Sequence, residues 1–217
     1  LLLSVGPLIC ALAAGNHAMI KVSSSSMNFG YVLENILSEA FPQELVTVVN
    51  GGGAISDAFS HLAFDKLIFT GSTSVGKTVM AAASQNLVPV ILELGGKSPA
   101  LVHSAMNIRD VAQRIAVGKL WNAGQTCVAP DYIFLPKGKT AEFTKHYNDF
   151  VNTMYPTLRD NKDYTSIVND KQYNRLQGYL EDARDQGATI IELNSKKESL
   201  TEVRKIAPTL LTGVTTE

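Results

Sequence analysis

Along almost the whole 217-residue chain, short apolar runs bounded by turn formers alternate with stretches of helical periodicity. A strand, a helix and a second strand in that order close most readily as a parallel βαβ unit, so the chain reads as α/β. Residues 1–15 predict an apolar helix ended by glycine, with Cys10 packed inside it as a small hydrophobe, and 17–22 a strand. A helix over 27–40 carries Val32, Leu33, Ile36, Leu37 and Ala40 on one stripe. Strands at 45–49, 66–70 and 88–94 are separated by helices at 55–62 and 74–85. Because these strands are apolar almost without interruption, they are expected in a parallel sheet covered on both faces. The alternation resumes after Gly95-Gly96 with a strand at 100–103, a helix at 107–121 and a strand at 132–135. Helices at 140–154 and 170–186 and strands at 188–192 and 210–214 complete it. The polar stretch 159–163 is expected to be exposed. The double glycine is the expected domain boundary, dividing 1–94 from 95–217.

With 45% hydrophobic and 18% charged residues, the chain has enough apolar surface to offset its ordering entropy. A net charge of -1, from 19 basic and 20 acidic residues, gives no electrostatic footprint for nucleic acid or an anionic membrane. Its two cysteines, Cys10 and Cys127, are too few and too far apart for a disulfide framework, and no Cys/His cluster suggests a metal. A reducing, cytoplasmic setting is the expectation. Residues 1–14 imitate a secretion signal but lack a basic start and are too short to span a membrane. A chain that begins Leu-Leu-Leu and ends Thr-Thr-Glu reads as an internal piece of a longer protein.

Gly71-Ser72-Thr73-Ser74-Val75-Gly76-Lys77-Thr78 satisfies the pattern G-x-x-x-x-G-K-[ST] between an expected strand and an expected helix. Taken alone it fits a nucleotide triphosphatase, or an ordinary glycine and serine helix cap. The physics common to any such turn is an anion site, because free N–H groups at a helix start favour phosphate or pyrophosphate. A P-loop enzyme also wants a strand ending in a magnesium-binding aspartate, and the nearest apolar strand ends in Glu93 instead. That glutamate is either a paired structural carboxylate or a functional one, since sites form at the carboxyl ends of parallel strands. Cys127, in a loop after the long helix 107–121, is either a buried hydrophobe or a reactive thiol.

Glu93-Leu94-Gly95-Gly96-Lys97-Ser98-Pro99 followed by Gly124-Gln125-Thr126-Cys127 resembles the paired signature of the aldehyde dehydrogenase superfamily. Phe69-Thr70-Gly71-Ser72-Thr73-Ser74-Val75-Gly76 is similar to its dinucleotide loop, and Ala13-Ala14-Gly15-Asn16 before Ile20-Lys21 to its ribose-binding strand. Cys127-Val128-Ala129-Pro130-Asp131-Tyr132 is similar to the branch containing the fatty aldehyde and coniferyl aldehyde enzymes. The resemblance runs from Leu1 to Thr209.

It implies part of a Rossmann-like dinucleotide-binding domain followed by an α/β catalytic domain. It also implies NAD- or NADP-dependent oxidation of a small aldehyde to a carboxylic acid. Cys127 would be the nucleophile and Glu93 the general base. Lys21, Ser24, Gly71, Ser72, Val75, Leu94 and Gly95 would border the dinucleotide, and the full-length enzyme would be a homodimer or larger homo-oligomer. Two departures stand out. Ser24 occupies the place of the family's ribose-binding glutamate, which would ease acceptance of NADP. The family's oxyanion asparagine and its nicotinamide-ribose glutamate would fall before Leu1 and after Glu217. A non-catalytic fragment of such an enzyme is the alternative.

Overall fold

The computed structural model describes residues 1–214, which are α/β and divide into two compact units, one ending at Gly95 and the other beginning at Gly96. In the first unit α1 (Leu2–Ala13) leads into β1 (Ala18–Lys21), α2 (Met27–Ala40) and β2 (Val46–Val49). After α3 (Gly53–Ser60) come β3 (Leu67–Thr70), α4 (Thr73–Ser84) and β4 (Val90–Glu93). Strands β1 and β2 pair in parallel across α2, and β3 and β4 across α4, so each pair is a βαβ unit. Gly30, Leu33 and Leu37 recur at helical spacing and bury one face of α2 among Leu8, Val22 and Val46. Val79 and Ala83 of α4 do the same against Leu67 and Val88.

The second unit opens with β5 (Ser98–Leu101), α5 (Ile108–Leu120) and β6 (Pro130–Phe134), a third parallel βαβ unit. It continues through α6 (Thr140–Met154), α7 (Asp170–Asp185), β7 (Thr189–Glu192) and β8 (Thr209–Thr212). Asn107 starts α5 by accepting the N–H groups of Arg109 and Asp110 at 2.9 and 3.3 Å, which satisfies donors that a helix start leaves unpaired. Ile108, Ala112, Ala116 and Leu120 then lie on one buried stripe and pack on Phe143, Tyr147 and Val151 of α6. Ala112 and Ala116 have no solvent-accessible surface, the small side chains a close helix contact requires.

Several expectations are corrected. Among the described residues the strands form four separate two-stranded pairs rather than one sheet, and the β7–β8 pair, for which no direction was expected, is antiparallel. The strands are not covered on both faces: Met19, Ile68 and Ile91 remain more than two-fifths exposed, because burial alternates along these strands. Val32 and Ile36 of the expected α2 stripe are also exposed, since the buried arc is centred on Leu33 and Leu37. Cys10 is exposed on α1, whose only buried residue is Leu8. That helix is apolar on nearly every side, so periodicity could not say which side faces inward.

The stretch 159–163 keeps Asp160, Lys162 and Asp163 exposed, yet its backbone is fastened. Lys205, buried at 7% exposure, donates from Nζ to the carbonyl oxygens of Leu158, Arg159 and Asn161 at 2.8, 2.9 and 2.8 Å. The Glu198 carboxylate accepts the N–H groups of Leu158 and Arg159, both at 2.9 Å. Lys205→Met would keep much of the packing but strand three carbonyls without their donor, at a cost of roughly 3 kcal/mol. Urea unfolding of the chain should show a matching loss, and an unchanged midpoint would mean that water replaces the ammonium freely.

Candidate active site

The expected site residues of the first unit sit at the carboxyl ends of its parallel strands, where such folds place ligands. Thr70 of β3 is in register with Glu93 of β4, which sets the turn at Gly71 beside Leu94. The Gly71 N–H donates to the Glu93 carbonyl at 3.0 Å. Ser72 caps α4, its Oγ accepting the Val75 N–H at 3.3 Å, and lies 3.1 Å from Ser74 Oγ. No acidic residue occupies the first turn of α4, so nothing there opposes the attraction of a helix start for phosphate.

Packing accounts for both glycines of the loop. A Cβ on Gly71 would stand 2.4 Å from Phe69 Cζ, and one on Gly76 2.8 Å from Leu94 Cδ2. Glycine at the two positions therefore lets Phe69 and Leu94 lie against the turn. Ser72, Val75 and Gly95 are exposed. The Glu93 side chain is exposed too and has no hydrogen bond or ion pair among the described residues.

At the end of β1, Lys21 donates from Nζ to the Val22 carbonyl at 2.6 Å, and partial burial holds its ammonium below the ordinary lysine range. Ser24 begins an exposed 3₁₀ turn, Ser24–Ser26, that runs into α2. No hydrogen bond joins Lys21 or Ser24 to Gly71 or Ser72 among the described residues. The geometry gathers Gly71, Ser72, Val75, Leu94 and Gly95, and places Lys21 and Ser24 at a different strand pair.

In the second unit Cys127 is exposed in a turn between α5 and β6, closed by the Ala129 N–H donating to the Thr126 carbonyl at 3.1 Å. Both thiols of the chain are exposed, so accessibility does not separate Cys127 from Cys10 as the sequence suggested. Three successive left-handed residues precede the turn, Asn122, Ala123 and Gly124 at φ 54°, 52° and 79°. Two of them carry a Cβ, and each such residue costs about 1–3 kcal/mol and persists only where the surroundings enforce it.

Gly96 comes up against the thiol turn so closely that a Cβ there would stand 2.3 Å from the Cys127 carbonyl oxygen. Next to it, Lys97 pairs with Asp131 at 2.5 Å across β5 and β6. The register shift between Ser98 and Pro99 leaves Asp131 without a strand partner. Within this unit the Gly96-Lys97-Ser98-Pro99 half of one signature thus adjoins the Cys127 half of the other.

The sequence reading missed Lys119, whose stem runs beside Gly124. Burial pushes its ammonium down, Asp131 opposes that shift, and Lys97 adds to it. Its position on the last turn of α5, eight residues before a candidate thiol, was a signal within reach. Nothing in the sequence signalled the Asp131 bulge. His61 and His103 make local turn contacts, to the Asp57 carbonyl and the Ala105 N–H.

The model of the aldehyde dehydrogenase family matches residues 1–217, and the chain belongs to that family. It is 51% identical over 214 residues to the probable coniferyl aldehyde dehydrogenase of Pseudomonas aeruginosa, covering 99% of this chain and 44% of that protein. Among solved structures, substrate-bound AldH of Staphylococcus aureus superposes with a TM-score of 0.87 at 40% identity, over 97% of this chain and 45% of that one. Mycobacterium tuberculosis aldehyde dehydrogenase complexed with NAD+ gives 0.81 at 26% identity, over 93% and 43%. The chain spans about half the length of the curated relatives it matches.

Proposed function

We propose that the protein containing these residues oxidises an aldehyde to a carboxylic acid through a thioester on Cys127, with NAD or NADP as the oxidant. The approach of Gly96 to the Cys127 carbonyl carries this reading, because it brings the main chain of an exposed cysteine against the Gly96-Lys97-Ser98-Pro99 half of the other signature. In its support, the relatives include coniferyl aldehyde dehydrogenases and a structural neighbour was solved with NAD+. An aromatic or long-chain aldehyde is the proposed substrate class.

Residues 1–94 would hold the dinucleotide and 95–217 would carry the thiol. The pyrophosphate fits the turn at Gly71 and Ser72, whose helix start is free of acidic side chains, with Val75, Leu94 and Gly95 bordering it. Lys21 and Ser24 would face the adenosine ribose. Serine in place of a carboxylate removes the charge that would repel a 2′-phosphate, so NADP is acceptable there.

Cys127 loses its proton and its sulfur adds to the aldehyde carbon, giving a tetrahedral adduct. The Cys127 N–H would help to hold the oxyanion of that adduct. When bound, the dinucleotide supplies the two-electron acceptor that turns the adduct into a thioester. Glu93 takes a proton from water, the resulting hydroxide attacks the thioester carbon, and the acid leaves as the Cys127 thiolate is restored. The working enzyme would be a cytoplasmic homodimer or larger homo-oligomer. No helix among the described residues is long and apolar enough to cross a membrane.

Glu93→Gln in the whole protein tests the assignment. Formation of the thioester needs no base for water, so about one equivalent of reduced dinucleotide should appear as a burst, followed by turnover slowed about 10²–10⁴-fold. An unchanged steady-state rate, or slow turnover without a burst, would remove Glu93 from this role. Because its side chain is exposed and has no partner among the described residues, the substitution should leave the fold undisturbed.

A further inference from the structure

The side chain of Gln125 is engaged at both ends. Its Nε2 donates to the carbonyls of Asn122 and Ser166, each at 3.1 Å, and its Oε1 accepts the Val168 N–H at 2.9 Å. A carbonyl at one residue and an N–H two residues later point to the same side of an extended segment, where a neighbouring strand would bond to both. The carboxamide of Gln125 fills that peptide-shaped slot. On its other side the segment is held by Arg204, whose carbonyl accepts the Ile167 N–H at 2.8 Å and whose Nε donates to the Ile167 carbonyl at 3.3 Å. Asn122 returns the bond by donating from Nδ2 to the Gln125 carbonyl at 3.1 Å, and the Gln125 N–H donates to the Asn122 carbonyl at 3.0 Å. The left-handed run at Asn122, Ala123 and Gly124 is therefore clasped from within and anchored from outside by one side chain, two residues before the thiol.

We infer that Gln125 is the positioning residue of Cys127: it docks the strained turn into the Ser166–Val168 slot and so fixes where the sulfur stands. This rests on Cys127 being the nucleophile. Placement matters because a shift of about 1 Å at a reacting atom lowers the rate about 10²-fold. The amide is specific in this place, since it must donate at one end and accept at the other. A carboxylate accepts from Val168 but sets a negative oxygen against the carbonyls of Ser166 and Asn122, whereas a protonated carboxyl can donate there again.

The test uses the whole protein with the variants Gln125→Ala, Gln125→Glu and Cys127→Ser. Gln125→Ala is expected to lower kcat about 10²-fold with the KM for dinucleotide little changed, and to alter the rate at which iodoacetamide alkylates Cys127 in peptide mapping. For Gln125→Glu, the ratio of its kcat to that of the unaltered protein should rise about tenfold as pH falls from about 9 to about 6, because the opposing carbonyls favour the neutral carboxyl. A role confined to stability would lower the melting temperature and leave kcat per folded molecule and the pH ratio alone, and that result overturns the inference. If Gln125→Ala does not fold, the pH ratio of Gln125→Glu decides. Inactive Cys127→Ser beside Gln125 variants of unaltered kcat sinks the positioning role alone, whereas an active Cys127→Ser sinks the nucleophile it depends on.

Discussion

Cys127→Ser in the whole protein is expected to lower aldehyde turnover by on the order of 10⁶-fold, a loss of the size seen when a covalent nucleophile is deleted. The substitution changes one atom in an exposed turn, so neither packing nor the Gln125 clasp is disturbed. Chemically it changes much more, because a hydroxyl gives up its proton far less readily than a thiol and alkoxide leaves an acyl carbon less well than thiolate. Following reduced-dinucleotide absorbance over a range of aldehydes measures the loss, and fluorescence titration with reduced dinucleotide should show binding retained. Turnover within tenfold of the unaltered protein would mean that the oxidation does not pass through this thiol.

Gly96→Ala is expected to lower kcat by about 10²-fold for a different reason, displacement rather than deletion. The new Cβ would meet the Cys127 carbonyl oxygen at 2.3 Å, and a main-chain oxygen cannot swing aside as the tip of a long side chain can. Either the turn carrying the sulfur moves or the strand entry at Gly96 does. Overpacking of this kind costs about 1–3 kcal/mol, so the unfolding midpoint should fall as well. Gly95→Ala supplies the comparison, since nothing lies within 4 Å of a Cβ at that position and its midpoint should stay in place. Equal effects on stability from both glycines would show that the pair is wanted for chain flexibility and not for the approach to Cys127.

Local order was legible wherever one residue and its near neighbours decide it. Helices α2 and α6 begin and end at the expected residues because polar and apolar side chains alternate at helical spacing between clear stops. Cys10 shows the limit: with leucines and isoleucine around it on every side of α1, the pattern has no dry face to point to. Nor do short apolar strands carry a mark of direction, which is why the antiparallel pairing of β7 with β8 escaped notice.

The site was half legible. Residue type left Glu93 and Cys127 open between structural and chemical readings, and only the family resemblance carried by their motifs and by the Gly71 turn singled them out as candidates. What holds them in place carries no such mark: Gln125 finds its outside partners some forty residues downstream, and of the left-handed residues Asn122 and Gly124 are of types that favour the conformation whereas Ala123 is not.

The Lys205 lock bears on which substitutions the second unit can absorb. Its acceptors are main-chain oxygens, which every residue type supplies, so the identities of the side chains at Arg159 and Asn161 do not enter the three bonds. The path of the chain there rests on that one ammonium together with the Glu198 carboxylate, which accepts main-chain N–H groups and is equally indifferent to side-chain identity. A polar crossing that looks variable position by position is thus answerable to two charged side chains far downstream, Glu198 and Lys205.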